Sequence, residues 1–366
     1  MSKNKLPFFR LNIYFALMGC FFVALEISAG QHSPIDDQTA SPTRNLYVST
    51  VGSDSNPGTS SAPFLSIEAA SRVALPNTTI HVAPGIYKGN IITEASGTAP
   101  NHIIYVSDQK QKAKIIGTGS EIAWINHGDY VELNGFDIST SGRIGFYSTG
   151  SYGLIHHCLV HDILLSGGST DNGGAAIDFV GKNWIVSYNT IRNIDVARHS
   201  GSANVQGIYI AGANALVYGN RISGVAAYGI HQWHGATKSL IMNNTIFNSF
   251  GGILIGSGDS GALPDGSKSN FVISNIASNN LGYGIREYGV TSENTYIDNV
   301  VFNNQINIEI DRPGDVATGT IVADPMFVKY LPDGMGDYHL KHGSPATGRG
   351  DLISSRDTTA ARWMKP

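Results

Sequence analysis

Val186-Ser187-Tyr188-Asn189, Val217-Tyr218-Gly219-Asn220, Ile241-Met242-Asn243-Asn244, Val272-Ile273-Ser274-Asn275 and Tyr296-Ile297-Asp298-Asn299 are five versions of one short pattern. Val131-Glu132-Leu133-Asn134 and Ile155-His156-His157-Cys158 extend the series toward the N-terminus, with Cys158 in the place of Asn. From 134 through 158, 189, 220, 244 and 275 to 299 the steps are 24, 31, 31, 24, 31 and 24 residues, so each is 24 or 24 plus a seven-residue insertion. Upstream of each station from 158 onward lies a second segment, and one more copy follows the last station. The series runs Gly145-Phe146-Tyr147, Ala176-Ile177-Asp178, Gly207-Ile208-Tyr209, Gly229-Ile230-His231, Gly252-Ile253-Leu254, Gly284-Ile285-Arg286 and Asn307-Ile308-Glu309. Runs this short, β-branched and broken by Gly or Asn read as strands rather than amphipathic helices. A unit of about two dozen residues cannot bury its own apolar face and must stack on its neighbours. The fold class that follows is all-β: a single right-handed parallel β-helix, with Ile stacked inside and Asn side chains hydrogen-bonded along one corner.

Composition agrees with such a solenoid. Of 366 residues only 14% are charged, against roughly 25% in an average globular chain. The 42% hydrophobic share is too high for disorder. A net charge of −4 leaves no basic footprint, so nucleic-acid binding is not expected. Two Cys make neither a disulfide framework nor a structural zinc site.

The ends read differently from the middle. Lys3, Lys5 and Arg10 precede the apolar run Leu11 to Leu25, and Ser28-Ala29-Gly30 offers small residues for cleavage, so residues 1–30 read as a signal peptide and the protein as secreted or periplasmic. A lipoprotein box ending at Cys20 fits less well, because Phe21 to Leu25 continues the apolar run. No later stretch is long and apolar enough to span a bilayer. Residues 31–45 read as a linker, 46–347 as the β-helix domain and 348–366 as a C-terminal tail. Ala62 to Ala74 reads as a capping helix closing the N-terminal end, ended by Leu75-Pro76. Asp324 to Ala346 breaks the repeat and is expected to cover the other end.

Three further stretches carry a resemblance. Gly52-Ser53-Asp54-Ser55-Asn56-Pro57-Gly58-Thr59, Val82-Ala83-Pro84-Gly85-Ile86-Tyr87 and Asp324-Pro325-Met326-Phe327 with Gly343-Ser344-Pro345-Ala346 resemble secreted proteins of the pectate-lyase-like β-helix superfamily. The resemblance covers roughly residues 46–347 and implies the fold and secretion. It does not select an activity, since that superfamily holds lyases, hydrolases, epimerases and non-catalytic surface proteins.

Insertions at about 163–174, 195–206 and 256–269 border one sheet and are expected to wall a groove on it. Strand alternation places Tyr147, Asp178, Tyr209, His231, Leu254, Arg286 and Glu309 in one outward row on its floor. Trp233 and Tyr288 belong to a second row, and His234 begins the turn beyond Trp233. Most outward β-helix residues are solvated ladder members; Arg286 with Glu309 reads first as a surface ion pair, and Asp178 as a solvated carboxylate with calcium as its alternative role. Strict alternation buries Glu287, which calls for either a local twist or a register shifted by one.

The chemistry expected of this floor is β-elimination on an acidic, uronate-containing polysaccharide by a lyase, acting as a monomer. Tyr209 and His231 are the base and acid, in unassigned order; Arg286 or Arg198 neutralises the carboxylate; Trp233 stacks on a sugar. Asp178, His199, His234, Tyr288 and Glu309 complete the binding set. No His pair has a carboxylate clearly beside it, so no metal ligands are named. The Asp-rich calcium motif of β-helix pectate lyases is absent, as is a Lys on the floor, with Lys182 and Lys238 in nearby turns as stand-ins. A glycosidase needs two close carboxylates; Asp178 and Glu309 are five coils apart, leaving only loop acids such as Asp162, Asp171 or Asp195 as partners for Asp178. A C5-epimerase, a glycoside hydrolase using such loop acids, and a non-catalytic exopolysaccharide-binding or cell-surface protein remain the alternatives.

Overall fold

A computed structural model describes residues 43–119, 122–165, 173–195, 204–258, 266–310 and 312–350. The proposed signal peptide, most of the linker and the last sixteen residues of the tail lie outside this set. Within it the chain winds through three parallel sheets of eleven, nine and ten strands, each joined to its counterpart one coil away. Ile177, Ile208, Ile230, Ile253 and Ile285 are register partners on successive coils of the nine-stranded sheet and form one buried column.

The Asn stations do stack. The backbone N–H of Asn189 donates to Asn220 Oδ1 at 3.0 Å, that of Asn220 to Asn244 at 3.0 Å, that of Asn244 to Asn275 at 2.9 Å and that of Asn275 to Asn299 at 2.9 Å. The residue before each Asn takes a left-handed backbone, as at Tyr188, Asn243, Ser274 and Asp298, so the chain turns there and aims the amide inward. One station was misplaced by the spacing. Asn134 pairs with His156, not Cys158, and Phe136 takes the corner position; its carbonyl receives Leu159 N–H as the Cys158 carbonyl receives Thr190 N–H. The first step is therefore 22 residues rather than 24, because Phe136, packed edge-on against Trp124, fills the corner by volume instead of by hydrogen bonds. Two more ladders, not foreseen, run along other corners: Ser239–Asn270–Asn294–Asp315 and Ser249–Asn280–Asn304.

At the N-terminal end the helix is shorter than expected, Ile67–Val73, because Ser66 caps it by accepting from Ala69 N–H. Its Ile67, Ala69 and Ala70 are buried in the main core. The C-terminal segment departs from expectation. Rather than covering the far end, it doubles back along the ten-stranded sheet, where Tyr338 stacks on Phe247 at 4.4 Å and Arg349 Nε donates to the Asp298 carbonyl at 2.6 Å. The outward Phe247 explains this path, since it needs an apolar cover. The last coil keeps exposed apolar residues, Ile306, Val316 and Val322.

Glu287 needs neither a twist nor a shifted register. It pairs with Ile255 while Arg286 pairs with Leu254, so alternation holds and Glu287 points into the solenoid, 2% exposed.

Candidate functional site

The outward row forms as read. Tyr147 pairs with Asp178, Asp178 with Tyr209, Tyr209 with His231, His231 with Leu254, Leu254 with Arg286 and Arg286 with Glu309. A groove of about 760 Å³ lies over most of this row. Gly173, Gly174 and Asn204, at the roots of two insertions, contribute to its lining. Arg198 and His199 fall outside the described residues, as do the bodies of all three insertions and Asp171.

Alternation alone did not find every lining residue. The small residue near the start of each strand, such as Gly229 or Gly252, sits where backbones crowd: a Cβ on Gly252 would lie 2.3 Å from the Gly284 carbonyl oxygen. The preceding residue belongs to a further row, in which Ala175 pairs with Gln206, and Tyr228 with Gly251, which pairs in turn with Tyr283. Gln206 and Tyr228 therefore line the groove, with Phe250 and Arg143 from the turns leading into their strands. The repeated glycine was the available signal, since a residue that recurs for want of space marks a break in the pleat.

Two aromatic rings lie across glycines. A Cβ on Gly256 would meet Trp233 Cζ3 at 2.3 Å, and one on Gly251 would meet Tyr228 Cε1 at 2.3 Å. Trp233 continues into Tyr288, 6.1 Å away and 14° from parallel, forming a flat platform at one end of the groove.

Between these rings sits His231. Its ring centroid is 5.1 Å from Tyr209 at 88°, 5.2 Å from Trp233 and 5.8 Å from Tyr228. Neither ring nitrogen has a hydrogen-bond partner among the described residues. Burial, helped by the nearby His234, lowers its pKa to about 3. It is therefore a neutral imidazole at ordinary pH, packed against the ring of Tyr209. His234 also meets the Tyr209 ring, at 5.8 Å.

Arg286 is committed elsewhere. Its Nε donates to Glu309 Oε2 at 2.6 Å, its Nη1 to the Tyr228 hydroxyl at 3.4 Å, and its guanidinium lies 4.1 Å from the Tyr283 ring centroid and 4.9 Å from that of Tyr288. Burial works against its charge, but the bonds to Tyr228 and Glu309 outweigh it and hold its pKa above the usual value. The ion-pair reading is the one observed, and the arginine steadies the aromatic end of the groove.

Asp178 departs in part from expectation. The residue is half-buried rather than a fully solvated ladder member: its Oδ1 is closed off from water with no hydrogen-bond partner among the described residues. Burial raises its pKa to about 7, with the Arg143 charge working the other way. Asp178 is the only carboxylate among the described lining residues. Calcium takes six to eight oxygens, usually with several carboxylates, so this donor set does not fit the ion. Among the described lining residues there is likewise no second acid for a glycosidase. Asp162 is bound to His161 and Asn193 outside the groove, and Asp195 does not line it. Lys182 and Lys238 are not lining residues either.

Residues 46–313 match the family model described as Pel9A-like, right handed beta helix region. Pectate lyase L of Dickeya chrysanthemi is 26% identical over 254 residues, 63% of this chain and 57% of that protein. Pectate lyase L of Dickeya dadantii (strain 3937) is 27% identical over 199 residues, 50% of this chain and 44% of that protein. The chain thus spans about half the length of the curated relatives it matches. Among solved structures, a rhamnogalacturonan lyase superposes with a TM-score of 0.58 at 15% identity, covering 84% of this chain and 99% of that one. An alginate lyase from Paenibacillus sp. str. FPU-7 gives 0.50 at 17% identity, with coverage of 76% and 100%. These likenesses support a polysaccharide-lyase-like scaffold; among the described residues no helix is long and apolar enough to cross a membrane.

Proposed function

The chain belongs to the Pel9A-like right-handed β-helix family, and on that premise we propose that it is a secreted polysaccharide lyase cleaving a uronate-containing polymer by β-elimination. The observation that carries this reading is the in-register contact of Tyr209 with a neutral His231 on the floor of the groove. The neutral state of His231 favours one of the two orders that the sequence left open. His231 accepts the proton beside the uronate carboxylate, and Tyr209 gives its hydroxyl proton to the departing glycosidic oxygen. The electron pair of the broken C–H bond becomes the new double bond as the C–O bond breaks. Trp233 and Tyr288 hold a neighbouring sugar by its face. Secretion rests on the leader read in residues 1–30.

The test is ultraviolet absorbance of unsaturated product from a panel of polyuronates and bacterial exopolysaccharides. His231→Ala and Tyr209→Phe should each slow product formation by about 10²–10⁴-fold. The aromatic platform also favours a second reading, a non-catalytic polysaccharide binder. Binding without product, abolished by Trp233→Ala, would establish that reading instead.

A further inference from the structure

Asp178 is an unusual group to find at the end of an acidic-polymer groove. It is one coil from Tyr209 and two from His231, on the side away from the aromatic platform. Its Oδ1 is withdrawn from water and unmet by any described donor, a costly arrangement unless a ligand completes it. The groups beside it are Tyr147 on the preceding strand, Tyr209 on the following strand and Arg143 in the turn leading into the preceding strand, and Gln206 lines the same groove. Two phenols, one amide and one guanidinium form a setting rich in donors, in which a bare carboxylate would itself be an attractive ligand. The carboxylate already present is therefore the point to explain.

We propose that Asp178, in its acid form, donates a hydrogen bond to the carboxylate of the bound uronate, so that enzyme and sugar share one proton at this subsite. The proposal rests on the lyase reading for the identity of its ligand. A substrate carboxylate placed against an ionised Asp178 would be repelled, whereas two carboxyl groups holding one proton attract. Burial favours the same state, since Asp178 is held near neutrality before any ligand enters and an incoming anion raises it further. In elimination, charge grows on the substrate carboxylate as the adjacent proton leaves. A buried acid already bonded there strengthens its hold as that charge develops. The subsite therefore selects for a carboxylate over an ester or a neutral sugar, and it works best on the acid side of neutrality.

Proton linkage tests this directly. Short oligomers of galacturonate, mannuronate and guluronate would be titrated calorimetrically into the full-length Tyr209→Phe protein, in which cleavage is slowed enough to measure binding. Paired buffers of different ionisation enthalpy give the number of protons taken up on binding. At about pH 8 binding should take up close to one proton, and affinity should fall about tenfold per pH unit above neutrality. Near pH 5 the uptake should vanish. Adding Asp178→Asn, which keeps a neutral donor of the same shape, should abolish the uptake and flatten the affinity profile. Asp178→Ser, smaller and unable to mimic the acid, serves as a second variant should the amide misfold. Zero uptake, proton release, or unchanged uptake without Asp178 would overturn the proposal. Product formed by the wild-type protein alongside any of these would sink the shared proton and leave the lyase standing. Failure of every oligouronate to bind or react would remove both.

Discussion

His231 shows what a single buried polar side chain does to both reactivity and stability. Burying an imidazole without partners costs free energy, and the surrounding rings keep that cost in place by excluding water. Because its pKa is depressed to about 3, the unfolded chain binds more protons than the folded one between there and the ordinary value near 6.5. Stability therefore rises with pH across that window and is lost as pH falls through it. Replacing His231 with Leu should remove this component, leaving a variant whose melting temperature declines less than the wild type's between about pH 6.5 and 4. Parallel melting curves would refute the burial argument. Gly256 makes a second residue-scale case. Its Cβ would strike Trp233 at 2.3 Å, so Gly256→Ala should tilt the indole, red-shift its fluorescence and cost about 1–3 kcal/mol. An unshifted spectrum would show that the platform does not depend on the glycine.

Corner ladders are what elements contribute. Asn275 accepts from both the N–H and the Nδ2 of Asn244, and donates from its own Nδ2 to the Ile241 carbonyl and Asn299 Oδ1. Asn275→Ala leaves those buried groups unmet, at a cost on the order of 3 kcal/mol by denaturant unfolding. Asn303, which donates to Asn279 on the exposed edge of a turn, should cost about 0.5 kcal/mol or less when changed to Ala. Equal losses would mean that the ladders are not the support they look like. This difference also explains what could be read in the sequence. A buried amide ladder accepts few other residues, so its stations from 189 to 299 recur legibly. Phe136 fills the same corner by volume, leaves no pattern, and displaced the first station by two residues. The groove row was legible for the same reason as the Ile column, because alternation fixes both faces at once. Tyr228 and Gln206 escaped because the crowded glycine beside them breaks that alternation, and Arg143 because it precedes its strand. The burial of Asp178 could not be read from one strand, since it depends on what neighbouring coils place around it.

At the scale of the whole molecule, the coils depend on one another, and the solenoid is vulnerable where its stack ends. The ladder through Asn270 and Asn294 finishes on Asp315, whose Oδ1 accepts from Asn294 N–H. Its other oxygen is closed off from water and faces Glu287. Glu287 in turn accepts from Tyr296 at 2.7 Å and Asn294 at 2.6 Å. Burial first, then the neighbouring Asp315, push the Glu287 carboxyl well above the usual carboxylate range, despite those two donors. Glu287, buried beside a second carboxyl group, therefore holds its proton more tightly than a free carboxyl does. The folded chain therefore keeps a proton that the unfolded chain releases above about pH 4.3. The stabilising contribution is whole below that pH and declines as pH rises toward neutrality. Glu287→Gln places an amide donor where that proton was. It should match the wild type at about pH 4 and exceed it by about 1–3 kcal/mol at pH 8, since each tenfold gain in proton affinity on folding is worth roughly 1.4 kcal/mol. The advantage should appear in the denaturant midpoint, and protection of the last coils against hydrogen exchange should rise with it. A variant less stable than the wild type at pH 8 would mean that the pair is held as two anions by the surrounding donors, and that the end of the solenoid is secured by its hydrogen bonds alone.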